Sequence, residues 1–520
     1  MTQDFSLPAT EQVPPAASGM GGAVARSGIW TVTGQMAGLL VALVATPFTI
    51  RLLGEARYGL WSLLQTGLIW VGLADLGMTT ASTRFAGEAH ERNDAEGESV
   101  ATWTGTTISV LATCVVAGIA AILARPIVSD LMNAPPGLVT PGAIALRIVA
   151  VGVIITAATG NLSTPLSVRL RWRTYTWITQ GGAILQVVLI PVVLVAVGGG
   201  VISAATVSTV TSGIALAAIL VVAARLQPAM RKPRVSRQVA RRMFAFSLPL
   251  TLAGLAELPL TTADRLLLGF YRSTVVVAYY TVAMRLATLA SMVPAAASQP
   301  LFPAVIRLRA SGQEAASRRL YGQILTASFL LFTPLLLVIA LIAKPFLTLW
   351  AGPAYGLHST LPCYLLLFGV WISSLGWLAQ TYLVAADFGP TIARIRVLQI
   401  VPYVVAAALL TAQFGAIGAA IAWSARTAID AVAYFVLGWR AIRLPPSPLS
   451  ERGVRCVLLL IFMALGVVAA ADATTGLAPR IAYALALLGG YASVLWWLVL
   501  ADSERALMRG FARTLNPFRR

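Results

Sequence analysis

Fourteen apolar runs of about 20 residues or more follow one another along the chain, and short joints rich in Gly, Pro or charged residues separate them. A helix rises about 1.5 Å per residue, so a run of this length is enough to cross the hydrocarbon core of a bilayer. The pattern therefore predicts an all-α, polytopic membrane protein. The predicted spans are 28–50, 58–82, 100–124, 143–166, 175–197, 201–224, 244–268, 274–300, 321–343, 359–386, 392–412, 416–438, 454–472 and 481–501.

Two stretches of the chain are similar to each other and predict an internal repeat. The joint after the first span reads "LLGEARYGLWSLL" at 52–64, and the joint after the seventh reads "DRLLLGFYRSTVVVAYYTV" at 264–282, which places Gly54 and Gly269 215 residues apart. Six spans separate the copies, so both halves have the same orientation, as in transporters built from parallel repeats. We predict two parallel six-helix bundles followed by two further helices.

The predicted spans divide the chain into units. We expect a disordered cytoplasmic tail at 1–25, a first bundle at 26–225, a basic cytoplasmic linker at 226–242, a second bundle at 243–442, helices 13 and 14 at 443–502, and a basic cytoplasmic tail at 503–520. The first tail is rich in Pro, Ala, Gly and Ser, which disfavours a packed core.

The positive charges are distributed unequally between the two sides of the predicted membrane protein. The net charge is +19. Of 38 Lys and Arg residues, we assign 28 to joints or adjoining span ends on the side of the N-terminus, among them Arg396 near the start of the eleventh span, 6 to the other side and 4 to the spans. Cytoplasmic loops carry such an excess, so the positive-inside rule accounts for the charge without nucleic acid. We predict a multi-pass protein of the bacterial cytoplasmic membrane with both termini in the cytoplasm.

The sequence contains no pattern that is typical of a metal centre, a cofactor site or a hydrolase. The three Cys residues lie in separate apolar stretches, the two His residues are isolated, and no phosphate-binding loop or zinc motif occurs. We therefore predict no metal, no cofactor and no enzymatic activity.

Three stretches together resemble a known family. They are "LLGEARYGLW" at 52–61, "LPLTLAGLAELPLTTADRLLLGF" at 248–270 and "AYYTVAMRLATLASMVPAAASQPLFPAVIRLRASG" at 278–312. They are similar to Wzx-type polysaccharide flippases of the multidrug/oligosaccharidyl-lipid/polysaccharide exporter superfamily. The resemblance implies a V-shaped pair of six-helix bundles around a cavity. It also implies that an undecaprenyl-diphosphate-linked glycan moves from the inner to the outer leaflet by alternating access.

Arg285 is the first candidate for contact with the diphosphate. It is the only charge between Thr274 and Pro300, and a charge inside the membrane is costly enough to suggest a function. The resemblance implies that it is a cavity arginine like that of the lipid II flippases. Those proteins carry an acidic residue where this chain has Met284, and the first span here has no charge, which favours a lipid-linked sugar other than lipid II. The alternative is an arginine neutralised by a carboxylate of a neighbouring helix.

Two further intramembrane arginines are candidates for the same cavity. Arg147 lies close to the start of the fourth span, so the alternative is a side chain that reaches the outer surface. Arg426 and Asp430 are one turn apart and share a face, so the alternative is a local ion pair.

Carboxylates within spans are candidates for coupling or gating. Glu257 and Asp264 lie two turns apart on one face of the seventh span, and Asp264 with Arg265 is a candidate gate pair. Glu257 is deeper, which suits either proton coupling or pairing with Arg285 or another arginine. Asp75 in "GLADLG" and Asp430 are also intramembrane and are further candidates for coupling or gating.

Several aromatic and amide side chains within the spans are candidates for sugar contact, although Trp and Tyr near span ends usually anchor a helix at the interface. The candidates are Tyr279, Tyr280, Gln180 and Trp377.

Two other functions compete with the flippase. A multidrug exporter of the same superfamily would depend on acidic residues in its first half, and arginines disfavour cationic drugs. A membrane glycosyltransferase or polymerase would need catalytic carboxylates or a large outer loop, whereas the longest predicted outer joint, 125–142, has one acidic residue. The partners we predict are the lipid-linked glycan and membrane lipids, with a proton or other ion gradient and polysaccharide assembly proteins as further candidates.

Overall fold

A computed structural model describes residues 37–444, Leu459, 463–467, Ala469 and 476–496. Within helices, the side chains of 253 and 292–300 fall outside this description. The predicted tails at 1–25 and 503–520 and most of the predicted span 454–472 also lie outside it.

The first half contains seven long helices that form six spans. They are α1 (Ala37–Leu53), α2 (Glu55–Gly72), α3 (Met78–Glu91), α4 (Ala95–Ile122), α5 (Pro136–Leu162), α6 (Trp172–Ala196) and α7 (Val201–Leu226). The second half again has seven long helices in six spans, and a short helix, Pro353–His358, precedes the fourth of these spans. The long helices are α8 (Arg237–Tyr271), α9 (Thr274–Leu289), α10 (Met292–Ala310), α11 (Glu314–Trp350), α12 (Thr360–Ala385), α13 (Gly389–Phe414) and α14 (Ala416–Ile442). One more helix, α15, covers Leu477–Val494.

These helices confirm the predicted all-α membrane protein. Eleven helices of the described residues are long and apolar enough to cross a membrane, and Ala37–Leu53 and Thr274–Leu289 are shorter apolar helices. Each of the first twelve predicted spans corresponds to one described helix or to one broken pair of helices, and the fourteenth corresponds to α15. No strand occurs in the part of the chain that the structure describes.

The second span of each half is broken after four to five turns of helix. The first break, between α2 and α3, contains Leu76 and Gly77 with φ angles of 54° and 67°. The second break falls at Ala290 and Ser291, between α9 and α10. Because α2 begins at Glu55 and α9 at Thr274, the structural repeat is offset by 219 residues, the separation of the bonded pair Ser62 and Thr281.

The structure corrects the sequence alignment of the two copies by four residues. Gly54 precedes α2 and has a φ angle of 76°. Gly269 instead lies inside α8, where a Cβ atom would come within 2.9 Å of Leu63 Cδ1. The first glycine is required by a turn and the second by close packing between the halves, so the two are not equivalent.

The halves meet where α2 and α9 begin. A Cβ atom on Gly59 would lie 1.6 Å from the Thr274 carbonyl oxygen, so the two backbones are in direct contact. Next to this crossing the Tyr279 hydroxyl donates a hydrogen bond to Glu55 (2.6 Å). The charge asymmetry predicts that this end faces the outside of the cell.

The opposite end of the first half is held by a buried carboxylate. Glu98, near the start of α4, is 1% exposed and accepts hydrogen bonds from Arg169 at 2.5 and 3.0 Å. Arg169 also donates to Gln227, at the end of α7. Through Arg169, this ion pair links α4 to the joint after α5 and to the end of α7.

We expect Glu98→Gln to lower the free energy of unfolding by about 3 kcal/mol, because removing one partner of a buried ion pair leaves the other charge uncompensated. Thermal or denaturant unfolding of the purified protein in detergent would measure the change. Glu96→Gln is the matched control, since Glu96 pairs with Arg234 at 2.9 Å on the exposed surface (side chains 73% and 54% exposed). That exposed pair is worth less than about 1 kcal/mol. Equal losses from both substitutions would contradict the expectation.

Candidate functional site

A cavity of about 340 Å³ lies between the two halves, below the contact of α2 with α9. Helices α1, α2 and α6 of the first half and α8 and α9 of the second contribute its walls. Arg265 and Arg285 are the charged residues in this lining, and no carboxylate is among the described residues that line it. The polar lining residues are Thr46, Thr49, Ser62, Gln65, Thr66, Gln186, Thr281 and Thr288.

Arg285 faces this cavity from α9, shortly before the helix break at Ala290. Its guanidinium donates a hydrogen bond to the hydroxyl of Thr46 on α1. Among the described residues no carboxylate forms an ion pair with it. Glu257 pairs with Arg396 and not with Arg285, which agrees with the alternative of another arginine that the sequence leaves open.

Arg265 lies on α8 and lines the same cavity. Its Nε atom is buried and has no hydrogen-bond partner among the described residues. The predicted gate pair with Asp264 does not form: Asp264 is fully buried and accepts a hydrogen bond from the Tyr280 hydroxyl (2.6 Å). Consecutive residues of a helix point in different directions, so the two charges diverge. Arg265 thus joins Arg285 in the cavity, which the sequence did not predict.

Glu257 forms an ion pair with Arg396 of α13 at 2.5 Å. Arg396 also donates to Gln380 Oε1 and to the Tyr434 hydroxyl, both at 3.2 Å. The charge distribution assigns Arg396 to a joint, whereas the structure places it about two turns after the start of α13. The predicted span 392–412 includes position 396, so the sequence already indicated that Arg396 lies within a helix.

A second polar cavity, of about 290 Å³, surrounds this ion pair within the second half. Arg426 and Asp430 line it and bind each other at 3.0 Å, which agrees with the local pair that we left open as the alternative for Arg426. Trp377 also lines it and is 45% exposed. In this second cavity the charges of two carboxylates neutralise those of two guanidiniums. The cavity between the halves instead has two guanidiniums and no carboxylate among its described lining residues.

Asp75 lies at the break between α2 and α3 and has a local role. Its carboxylate accepts hydrogen bonds from the Ser109 hydroxyl, from Asn161 Nδ2 (2.8 Å) and from the Thr79 backbone N–H (3.1 Å). These bonds satisfy both carboxylate oxygens and hold the broken helix against α4 and α5. Asp75 does not line either of the two cavities described above.

The remaining predicted residues do not line the cavity between the halves. Arg147 is exposed and donates to the Ala121 carbonyl oxygen at 3.1 Å, so it reaches outward from the bundle. Tyr280 is fully buried against Asp264, and Tyr279 is held by Glu55 and stacks on His358 with ring centroids 5.0 Å apart. Gln180 faces α1, where a Cβ atom on Gly38 would be 3.7 Å from its Oε1 atom.

The family of the chain follows from comparison with known proteins. A model of the polysaccharide biosynthesis protein family matches residues 24–309, which is more than half of the chain. The chain belongs to the polysaccharide biosynthesis protein family. The matched region includes α1 to α9 and hence every wall of the cavity that carries Arg265 and Arg285.

Relatives and solved structures agree with this family and its fold. A putative O-antigen transporter of Shigella flexneri is 21% identical over 427 residues, which cover 81% of this chain and 98% of that protein. The lipid II flippase MurJ in an inward closed conformation is similar with a TM-score of 0.70 and 12% identity, over 90% of this chain and 99% of that one. An inward-facing multidrug resistance MATE transporter of the MOP superfamily is similar with a TM-score of 0.66 and 15% identity, over 78% and 94%. This family member therefore has the MATE-like fold and is a multi-pass membrane protein.

Proposed function

We propose that this protein is a flippase that moves polyprenyl-diphosphate-linked oligosaccharide or polysaccharide repeat units across the membrane by alternating access. The observation that carries the proposal is the pair Arg265 and Arg285 in a cavity between the two halves, with no carboxylate in its described lining. The family, and a relative that is described as an O-antigen transporter, support the same function.

The cavity suits a diphosphate for electrostatic reasons. Two guanidiniums that have no carboxylate partner among the described residues leave a site with a charge of about +2, which complements the negative charges of a diphosphate. A guanidinium also offers a planar fork of donors that matches phosphate oxygens and stays charged at every physiological pH. The hydroxyl and amide groups that line the cavity can donate and accept hydrogen bonds to the first sugars.

The direction and the energy source belong to the same proposal. The excess of Lys and Arg in alternate joints supports cytoplasmic termini in the bacterial cytoplasmic membrane. Movement from the inner to the outer leaflet is the direction that the resemblance to Wzx-type flippases implies. Glu257 and Asp430 are the candidates for ion coupling, since a proton taken up by Glu257 would release Arg396 from its pair. Polysaccharide assembly proteins are the candidate protein partners.

A flipping assay with the full chain tests the function. The purified protein is reconstituted in vesicles of phosphatidylethanolamine and phosphatidylglycerol with a fluorescently labelled saccharide on undecaprenyl diphosphate. Dithionite added outside bleaches only label that reaches the outer leaflet, so we expect complete bleaching with the protein and partial bleaching without it. Efflux of a cationic dye such as ethidium, with no glycan-lipid movement, would instead support the multidrug exporter and overturn the proposal.

A further inference from the structure

Helices α1 and α6 form a wall with two chemically different faces. One face lines the cationic cavity through Leu39, Thr46 and Thr49 of α1 and Gln186, Val187 and Ile190 of α6. The opposite face of the same two helices lines a groove of about 700 Å³ on the outside of the bundle. The wall between the cavity and the groove is therefore one helix thick, about 10 Å.

All ten described residues that line the groove are apolar. They are Leu40, Val41, Val44, Ala45, Phe48, Leu52, Val188, Pro191, Val192 and Val195. Several are widely exposed, such as Val44 (66%) and Val195 (72%). Thr46, which receives the hydrogen bond of Arg285, directly follows Ala45 of the groove.

Helix α6, which forms one side of this wall, buries few of its side chains. Only Thr176, Ile190 and Leu194 are buried among the 25 residues of that helix. The approach of α1 to α6 at Gly38 and Gln180 is an ordinary van der Waals contact, since an added Cβ atom would still be 3.7 Å away. A helix with so few buried side chains loses little packing when it moves away from its neighbour.

A lipid-linked glycan has two parts that require different surroundings. The diphosphate and sugars need polar groups, while the prenyl chain is stable only in an apolar environment. Such a molecule can use the cavity only if its chain stays outside while its head is inside. The place where this is possible is a pair of helices that faces the cavity on one side and offers an apolar surface on the other.

We propose that the head of the substrate enters the cavity between α1 and α6 and that Arg285 binds its diphosphate. The first two isoprene units then cross the wall between these helices, and the α1–α6 groove holds the units of the polyprenyl chain that follow. This assignment rests on the proposed function. It commits to the prenyl chain of the substrate, because the groove lies back to back with the cationic cavity and shares its wall. Occupation by an ordinary phospholipid chain is the competing outcome of the test.

A substitution that fills the groove tests the assignment, because it should weaken binding of a long prenyl diphosphate and not of a short one. Val192→Trp places a large side chain in the groove, and Val405→Trp on α13 is the matched control, since the two valines are 54% and 52% exposed. Binding of undecaprenyl diphosphate and of geranyl diphosphate is measured with the full chain in nanodiscs. We expect Val192→Trp to weaken binding of the long-chain probe at least tenfold, to leave the short-chain probe within twofold, and Val405→Trp to change neither.

Long-chain binding by Val192→Trp within twofold of Val405→Trp would overturn the groove assignment and leave the proposed function standing. Failure of the wild-type protein to bind either diphosphate would overturn the proposed function itself. Short-chain binding by Val192→Trp also shows that this variant is folded.

Photocrosslinking provides a second measurement that does not depend on blocking the groove. A benzoylphenylalanine replaces Val44 in one variant and Val405 in the other, and radiolabelled undecaprenyl diphosphate is added in excess phospholipid. We expect the prenyl probe to crosslink at position 44 at least tenfold more than at 405. Equal crosslinking at both positions, or crosslinks at 44 to phospholipid alone, would overturn the assignment.

Discussion

Replacing Arg285 with alanine is expected to weaken binding of undecaprenyl diphosphate by roughly 30- to 5,000-fold and to abolish flipping of the labelled glycan. The estimate follows from the loss of about 2–5 kcal/mol when one partner of a largely desolvated, hydrogen-bonded charge pair is removed. Arg285 has no carboxylate partner among the described residues, so its removal leaves no orphaned acid behind. The expected defect is therefore one of binding rather than of folding.

Arg147→Ala is the matched control for this prediction. Arg147 is also an arginine within a span, but it lies outside the cavity and donates to a backbone carbonyl oxygen of α4. Flipping by Arg147→Ala should remain within about twofold of the wild type. Arg285→Lys should give an intermediate defect, because lysine keeps the charge and loses the bidentate fork. Normal binding by well-folded Arg285→Ala would contradict the assigned role.

Adding one carbon atom at Gly59 is expected to open the end of the protein at which α2 and α9 begin. The Cβ atom of Gly59→Ala would lie 1.6 Å from the Thr274 carbonyl oxygen and 3.2 Å from the Ala278 nitrogen. Backbone atoms cannot turn aside as a flexible side chain can, so the helices must separate. Overpacking costs about 1–3 kcal/mol, which shifts the population of this closed state by roughly 5- to 150-fold.

Electron–electron distance measurements between spin labels can detect this opening. Labels at Arg57 and Leu357, which are both exposed and lie in different halves, report the separation at this end in a background without other cysteines. We expect the major distance to lengthen in Gly59→Ala. Gly67→Ala in the same helix has the same effect on helix propensity and meets no atom closer than 3.9 Å, so its distances should equal those of the wild type. Unchanged distances in Gly59→Ala would show that the contact does not hold this end closed.

The length of the apolar runs was sufficient to predict most of the fold. The bilayer core offers no water to the backbone, so the N–H and C=O groups of a span form hydrogen bonds within their own helix. Hydropathy alone therefore indicates where spans occur. The parallel repeat was also visible, although its register was displaced by four residues. Aligning Gly54 with Gly269 gives an offset of 215 residues, because a match this short does not show that the second copy has four additional residues before α9. The starts of α2 and α9 in the structure give the offset of 219.

The candidate site could be predicted less completely. Arg285 stood out because it interrupts a long apolar run, and the structure places it in the cavity between the halves. The sequence predicts that Arg265 pairs with its neighbour Asp264 and that Arg396 belongs to a joint, and the structure shows neither. Both errors have one cause: sequence position gives the depth of a charge along a helix but not the neighbour toward which it points.

The sequence by itself determined that the chain spans the membrane, that its halves are parallel and that a few charges within the spans carry an unusual cost. Only the tertiary structure decided how those charges are paired. Glu257 and Arg396 are 139 residues apart, and Arg285 and Thr46 are 239 apart. Contacts over such separations are set by how helices pack in three dimensions. That packing neutralises one set of charges within the second half and leaves two arginines facing a shared cavity.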